Sequence, residues 1–270
     1  MLNLLMYNES VQSTRIEGTQ VTFYEIMESQ NKSWEEIEVS NYRAAIEYGV
    51  QHIKNGDVIS SKLIKSLHSI LMNNARGTTS NKEEFRKIQN FIGSDKKIEN
   101  AVYIPIDSNE IPVYMTNLEY FINEEKHRDF EVDVKEDSTI FDHSVDSLLR
   151  IAIMHAQFES IHPFLDGNGR LGRILIALMA VKENIIEFPL FFVSEELEKE
   201  RIRYYNSLNA TRADNPDWIS WIYFFLNASE RMSNKIIEEI ESSEQLAKYG
   251  ISKCQTEIQK KYGCQLFLIR

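Results

Sequence analysis

The stretch from Arg170 to Glu183 constrains the fold more than any other part of the chain. It contains the longest apolar run, Ile174 to Val181, and a helix that is apolar all round is a buried one. The run is far short of the roughly 20 residues that span a bilayer, so no membrane partner is expected and the helix belongs in a globular core. Directly before it stands Asp166-Gly167-Asn168-Gly169. Two glycines so close together let the backbone take positive φ just where the buried helix starts.

Helix-period spacing recurs through most of the chain. Trp34, Ile37, Tyr42, Ala45, Ile46, Val50 and Ile53 follow it and stop at Asn55-Gly56, a helix-ending pair. Ile59, Leu63, Ile64, Leu67, Ile70 and Leu71 follow it and stop before Arg76-Gly77. Further helices are expected from Val113 to Ile122 after Pro112, from Val145 to Ser160, from Glu195 to Asn209 and from Trp218 to Leu226. A long polar helix is expected from about Ser229 to Tyr262. One stretch departs from the pattern: Phe91-Ile92-Gly93, polar Ser94 to Asn100, then Ala101 to Pro105 reads as a short hairpin with a charged turn. Asp129 to Asp142 is acid-rich with little periodicity and reads as an exposed connection. The fold class is mainly α with one small β element.

Charge and cysteine usage exclude several functions. Formal net charge is −11, and binding along nucleic-acid phosphates depends on clustered Lys and Arg, so no nucleic-acid partner is expected. A small basic pocket is then more informative where one occurs. Cys254 and Cys264 are the only two cysteines, which fits a reducing compartment and gives no disulfide framework or Cys-rich metal site. The apolar start, Met1 to Met6, lacks a basic leader and is too short for a signal segment. The expected location is cytoplasmic.

The basic residues that matter stand in the glycine-bearing loop. Positive φ at Gly167 and Gly169 turns successive N–H groups toward one point, and the helix that follows offers free N–H groups and a positive dipole end. Arg170 and Arg173 are three apart, near one face of the first turn. Two guanidinium forks beside such a nest suit a polyphosphate better than a lone carboxylate. Asp166 beside bound phosphates can complete the oxygen shell of a Mg²⁺ ion. His162, at the end of the preceding helix, can take a proton from an incoming hydroxyl while the nest holds the phosphate under attack. Taken singly, a His before Pro, a Gly-Asn-Gly turn and an Arg pair are commonplace. Their joint occurrence from His162 to Arg173 points to a site.

The segment His162-Pro163-Phe164-Leu165-Asp166-Gly167-Asn168-Gly169-Arg170-Leu171-Gly172-Arg173 resembles the signature of the Fic (Fic/Doc) family at every defined position. The resemblance implies a helical core in which this loop joins two central helices, with a small β-hairpin flap. It implies that His162 is the general base, that Asp166 binds Mg²⁺, and that Gly167, Asn168, Gly169 and Arg170 hold the α- and β-phosphates of ATP. Arg173 would reach the γ-phosphate, and Phe164 would anchor the loop in the core. In related phosphate-transferring toxins the second glycine is a lysine, so Gly169 favours transfer of AMP from ATP over transfer of the γ-phosphate.

The resemblance extends further. Leu67-His68 through Leu71 is similar to the helix that opens the family core, and Phe85 to Gly93 to the lead-in to its flap. The flap, about residues 94–104, would hold a protein target by main-chain hydrogen bonds. From Arg201 to Leu208 the match continues, which implies an adenine side built from Tyr204, Tyr205 and Asn206. Near the N-terminus, Ser13-Thr14-Arg15-Ile16-Glu17-Gly18 resembles the family's inhibitory motif. In members of that class an N-terminal helix aims its glutamate at the last arginine of the loop. Glu17 paired with Arg173 would keep the guanidinium from the γ-phosphate.

These readings divide the chain into a regulatory segment over 1–55, a catalytic core over 56–235 and a helical extension over 236–270. Relatives of this class commonly carry further elements at both ends, and Leu266 to Arg270 reads as the start of an element cut short. The activity implied is an autoinhibited protein adenylyltransferase acting on a hydroxyl side chain of a target or of itself. Removal of AMP from a modified protein and nucleotide sensing without turnover are the alternatives. A two-fold homodimer is also expected.

Overall fold

The computed structural model describes residues 2–18, 33–75, 84–93, 98–125, 146–189 and 191–253. The helix stop at Arg76-Gly77, the hairpin tip at 94–97, the acid-rich connection Asp129 to Asp142, both cysteines and Leu266 to Arg270 lie outside the described residues. The elements run α1 (Leu2–Ile16), α2 (Trp34–Lys54), α3 (Ser61–Leu71), β1 (Ile92–Gly93), a 3-10 turn (Ile98–Asn100), β2 (Ala101–Tyr103) and α4 (Ile111–Asn123). Then come α5 (Ser147–Ile161), α6 (Asn168–Lys182), α7 (Ser194–Lys199), α8 (Arg201–Ala210) and α9 (Trp218–Lys253). The fold is mainly α, and β1 and β2 form an antiparallel two-stranded sheet pairing Ile92 with Tyr103.

The apolar run becomes the central helix of residues 1–229. Every residue of α6 except Gly169 and Lys182 is buried, with α5, α2, α3 and α1 packed around it. Each fully buried Ile or Leu there contributes roughly 1.5–3 kcal/mol. Two glycines set how closely the neighbours approach. A Cβ at Gly49 of α2 would fall 2.5 Å from Leu178 Cδ1, and one at Gly172 of α6 would fall 2.5 Å from Glu159 Oε1 on α5.

Local signals set most boundaries. Ser33 and Glu36 close a capping box at the start of α2, satisfying two amide donors that the helix leaves free. Asn55 ends that helix as expected, and Pro112 stands in the first turn of α4, where its missing N–H costs nothing. Two expectations are corrected. The helix foreseen over Glu195 to Asn209 is two helices, broken at Glu200 (φ −112°, ψ 35°). α7 packs on α1, while α8 turns Tyr204 and Leu208 inward, and no glycine or proline marks the break. Conversely, the two helices foreseen from Trp218 onward are one, because Ser229 Oγ bonds back to the Phe225 carbonyl at 2.8 Å and adds no stop.

Residues 1–229 form one compact unit and residues 230–270 a second. α1 and α2 therefore belong to the same body as α6. The described part of the second unit is helix, the continuation of α9 to Lys253. Among the described residues no helix is long and apolar enough to cross a membrane.

Candidate active site

His162 caps α5 in the left-handed conformation (φ 49°, ψ 60°), its N–H donating to the Phe158 carbonyl at 3.0 Å. A non-glycine residue there carries strain of about 1 kcal/mol and persists only where its surroundings hold it. Arg86 supplies that hold. Its buried guanidinium donates to the carbonyls of His162 (3.0 Å), Ile88 (3.1 Å) and Ile106 (2.5 Å), and its N–H donates to the Pro163 carbonyl at 2.8 Å.

The loop that follows is clipped from within. Asn168 Oδ1 accepts from the Phe164 N–H at 2.9 Å, and its Nδ2 donates to the Phe164 carbonyl at 2.8 Å. Phe164 is buried, with its ring stacked on His68 at 3.8 Å. His68 Nε2 in turn donates to the Asp166 carbonyl at 3.0 Å. Gly167 (φ 82°) precedes α6 at a point where a Cβ would meet Met72 Sδ at 2.8 Å. The side chain of Asn168 is thus spent on the loop, leaving its backbone N–H at the helix start.

The first amides of α6 have no helical partners and carry the positive end of its dipole. Over them lies a carboxylate. A Cβ at Gly169 would fall 2.3 Å from Glu17 Oε1, so any larger residue would require the carboxylate to shift. The same oxygen accepts from Arg173 Nη2 at 2.6 Å. Ser13 holds Arg173 from the other side: its Oγ accepts from Nε at 2.8 Å and its carbonyl from Nη2 at 2.9 Å. Arg170 reaches Met72 Sδ at 3.6 Å and pairs loosely with Glu38 at 3.5 Å, while its Nε and Nη1 make no hydrogen bond.

Electrostatics follow the geometry. Burial alone would push the Glu17 carboxyl up, but Arg173, with Arg170 and His162, outweighs it and holds it below the ordinary value. Burial also works against the Arg173 charge, and Glu17 more than offsets it, so the guanidinium is held charged. Burial, then Arg212, pull the His162 imidazole down to about 4. It is neutral near pH 7, the form that takes a proton.

The expected site residues do not all meet. His162, Asp166, Gly167, Gly169, Arg170, Arg173, Ser13 and Glu17 gather at the start of α6. Tyr204 is a core residue instead: it is 1% exposed, its hydroxyl bonds His155 Nε2 at 2.8 Å, and Trp221 and Phe224 flank its ring. Tyr205 and Asn206 line an open cleft of about 800 Å³ with Glu198, Arg201 and Arg203. In the hairpin, Tyr103 donates to the Ser160 carbonyl at 2.9 Å and lies under the Arg212 guanidinium, which ties the sheet to the end of α5. Sequence reasoning missed Arg86, Arg212 and Glu159. Arg86 and Glu159 carry only the signal of a charged residue beside a phenylalanine, and Arg212 carries no such signal.

Asp166 is the one carboxylate at the loop open to a cation. Its side chain is half exposed, and Oδ1 accepts from the Gly167 N–H at 2.6 Å. Among the described residues no group of three or more His, Cys, Asp or Glu could hold a metal. A single carboxylate fits Mg²⁺, which keeps several waters and takes its other ligands from substrate phosphates.

Two family models match the chain: Fic/DOC family over residues 58–180 and Fic/DOC family N-terminal over residues 1–51. The first spans the loop and the second spans Ser13 and Glu17. A probable protein adenylyltransferase of Aquifex aeolicus is 44% identical over 43 residues, 16% of this chain and 13% of that protein. A protein adenylyltransferase of Caenorhabditis elegans is 30% identical over 115 residues, 42% of this chain and 21% of that protein. The matches therefore span only a small part of either curated relative. A Fic family protein from Desulfovibrio desulfuricans shares the fold with TM-score 0.68 at 20% identity, over 88% of this chain and 66% of that one.

Proposed function

Because this chain belongs to the Fic/DOC family, we propose that it transfers AMP from ATP to a hydroxyl side chain of a protein and rests with that transfer blocked. The observation that carries the reading is the carboxylate of Glu17, bound to Arg173 and lying over Gly169. A side-chain anion from the chain itself already holds Arg173 beside the first turn of α6, where a phosphate would need that guanidinium.

With Glu17 displaced, the free amides from Asn168 onward, with Arg170 and Arg173, receive the phosphates. His162 takes the proton of the target hydroxyl as the oxygen bonds to the α-phosphorus. The bond from that phosphorus to the bridging oxygen breaks, and pyrophosphate leaves. Arg170 and Arg173 stabilise the charge that grows on it. Asp166 is the residue that would hold Mg²⁺, which would neutralise phosphate charge. The hairpin ending at Tyr103 would present the target, and the cleft beside Tyr205 and Asn206 would take the base. The relatives named protein adenylyltransferases support this chemistry. A cytoplasmic location and a two-fold homodimer stay part of the proposal.

The test is incubation of wild type, Glu17→Gly and His162→Ala with Mg²⁺ and ATP labelled at either the α- or γ-phosphate. Label from the α-position alone, strongest in Glu17→Gly and lost in His162→Ala, is the expected result. Incorporation from the γ-position would overturn AMP transfer. Equal labelling by wild type and Glu17→Gly would overturn the block.

A further inference from the structure

Beneath His162 lies a second buried acid that the reaction above does not use. Glu159, one turn earlier on α5, is 6% exposed. Its Oε2 lies 3.9 Å from His162 Nδ1, and its Oε1 has no hydrogen-bond partner. His162 Nδ1 is likewise enclosed and without a partner. Gly172 on the facing helix keeps the space for this carboxylate, since a Cβ there would fall 2.5 Å from Glu159 Oε1.

We propose that Glu159 is the positioning residue for His162, accepting the Nδ1 proton so that Nε2 is the nitrogen free to take the proton of the target hydroxyl. This rests on the reading of His162 as the base. A neutral imidazole has one donor nitrogen and one acceptor nitrogen, and the bond made at the first decides the tautomer. Among the described side chains, the Glu159 carboxylate is the acidic group that pairs with Nδ1. A separation of 3.9 Å is too long for a hydrogen bond, but such contacts are often loose before substrate binds and tighten afterwards. When His162 gains the hydroxyl proton at Nε2, the imidazolium still carries Nδ1–H toward Glu159, and the acid steadies the new charge as the third group of a nucleophile–base relay does.

Burial lifts the Glu159 carboxyl to about 7, with Arg173 and Arg212 pulling it down and Glu17 pushing it up. It is therefore ionised in part at neutral pH and accepts in either form. The backbone carbonyl of Glu159 also pulls weakly on the His162 proton. It survives any substitution at 159 and so separates backbone from side chain in the test.

The experiment uses the full chain carrying Glu17→Gly, with ¹⁵N-histidine, and adds Glu159→Ala or Glu159→Gln. At pH 7 the His162 nitrogen resonances should report the Nδ1–H tautomer with Glu159 present and a mixture in Glu159→Ala. Glu159→Gln should restore the first pattern, because its amide oxygen still accepts. In parallel, kcat for AMP transfer should fall by about tenfold or more in Glu159→Ala, within the range of general-base effects. KM for ATP should stay within about twofold, since the residue acts through His162 and not on the nucleotide. An unchanged tautomer in Glu159→Ala overturns the proposal, whether or not kcat falls, because a fall alone is a packing effect. If Glu159→Ala fails to fold by thermal unfolding, Glu159→Leu fills the volume without an acceptor and is read the same way. The nitrogen resonances need no turnover, so absence of AMP transfer in the Glu17→Gly parent defeats the transfer reading while the tautomer still judges Glu159.

Discussion

Glu17 Oε1 lies 2.6 Å from Arg173 Nη2, across 156 residues of sequence, on top of the first turn of α6. The arginine side chain is 1% exposed and the glutamate 35%. One partner is thus fixed in the core and the other can leave toward solvent, an asymmetry suited to release.

Removing the glutamate leaves a buried guanidinium partly unpaired. A fully buried pair broken in this way costs several kcal/mol, but Glu17 is partly exposed and Ser13 still holds Arg173, so Glu17→Gly should cost roughly 1–2 kcal/mol. ATP with Mg²⁺ should restore more stability to the variant than to wild type, because the phosphates replace the lost anion. Thermal unfolding with and without nucleotide checks this. A larger ATP-induced rise in wild type would contradict it.

Ser13→Ala removes the hydroxyl that accepts from Arg173 Nε at 2.8 Å and leaves the carbonyl bond in place. A hydrogen bond to a charged group is worth about 1.5–3 kcal/mol. The variant should therefore label a target more than wild type and less than Glu17→Gly, measured under the same conditions.

The His162 imidazole titrates near 4 because of burial and Arg212. A histidine pulled down in this way stays neutral above its folded value, so the base is available well below the ordinary 6.5. In Glu17→Gly, kcat for transfer should stay within about twofold from pH 8 down to about 5. A midpoint near 6.5 in that profile would mean the imidazole is solvated.

Glu9 on α1 is buried, accepting from the Tyr42 hydroxyl at 3.0 Å and from the Ser194 N–H and hydroxyl. Burial lifts it to about 7, against the pull of those bonds and of Arg173. A folded value raised above the ordinary 4.5 means its contribution is complete below pH 4.5 and lost as pH rises through about 7. The Tm of Glu9→Gln minus that of wild type should therefore grow with pH across that window, by roughly 3–8 °C, and level off above it. A difference independent of pH would show that Glu9 does not titrate there.

Much of this was legible in residue order. The helix over Trp34 to Lys54 follows from apolar spacing and Asn55-Gly56, both local signals. The buried α6 follows from a run with no polar face, but of the two glycines expected to take positive φ only Gly167 does, because Gly169 already lies within the first turn of α6. These are the features that backbone sterics and side-chain period decide within a few residues. Tyr204 was not legible, because a tyrosine facing a nucleotide and one packed on Trp221 look alike in one dimension. The break at Glu200 was equally silent, since it serves the packing of α7 on α1.

By itself, then, the sequence determined that a glycine-rich loop with a histidine, a carboxylate and two arginines leads into a buried helix, and that a Ser-Glu motif stands far upstream. Only the tertiary structure decided that this motif closes on the loop. The contact depends on α1 packing against α6, and a Cβ at Gly169 would require the carboxylate to shift. The same packing set Glu159 beneath His162 and Arg86 behind it. Burial is the largest influence on the titration of Glu159 and His162, and burial is a property of neighbours that no local pattern contains.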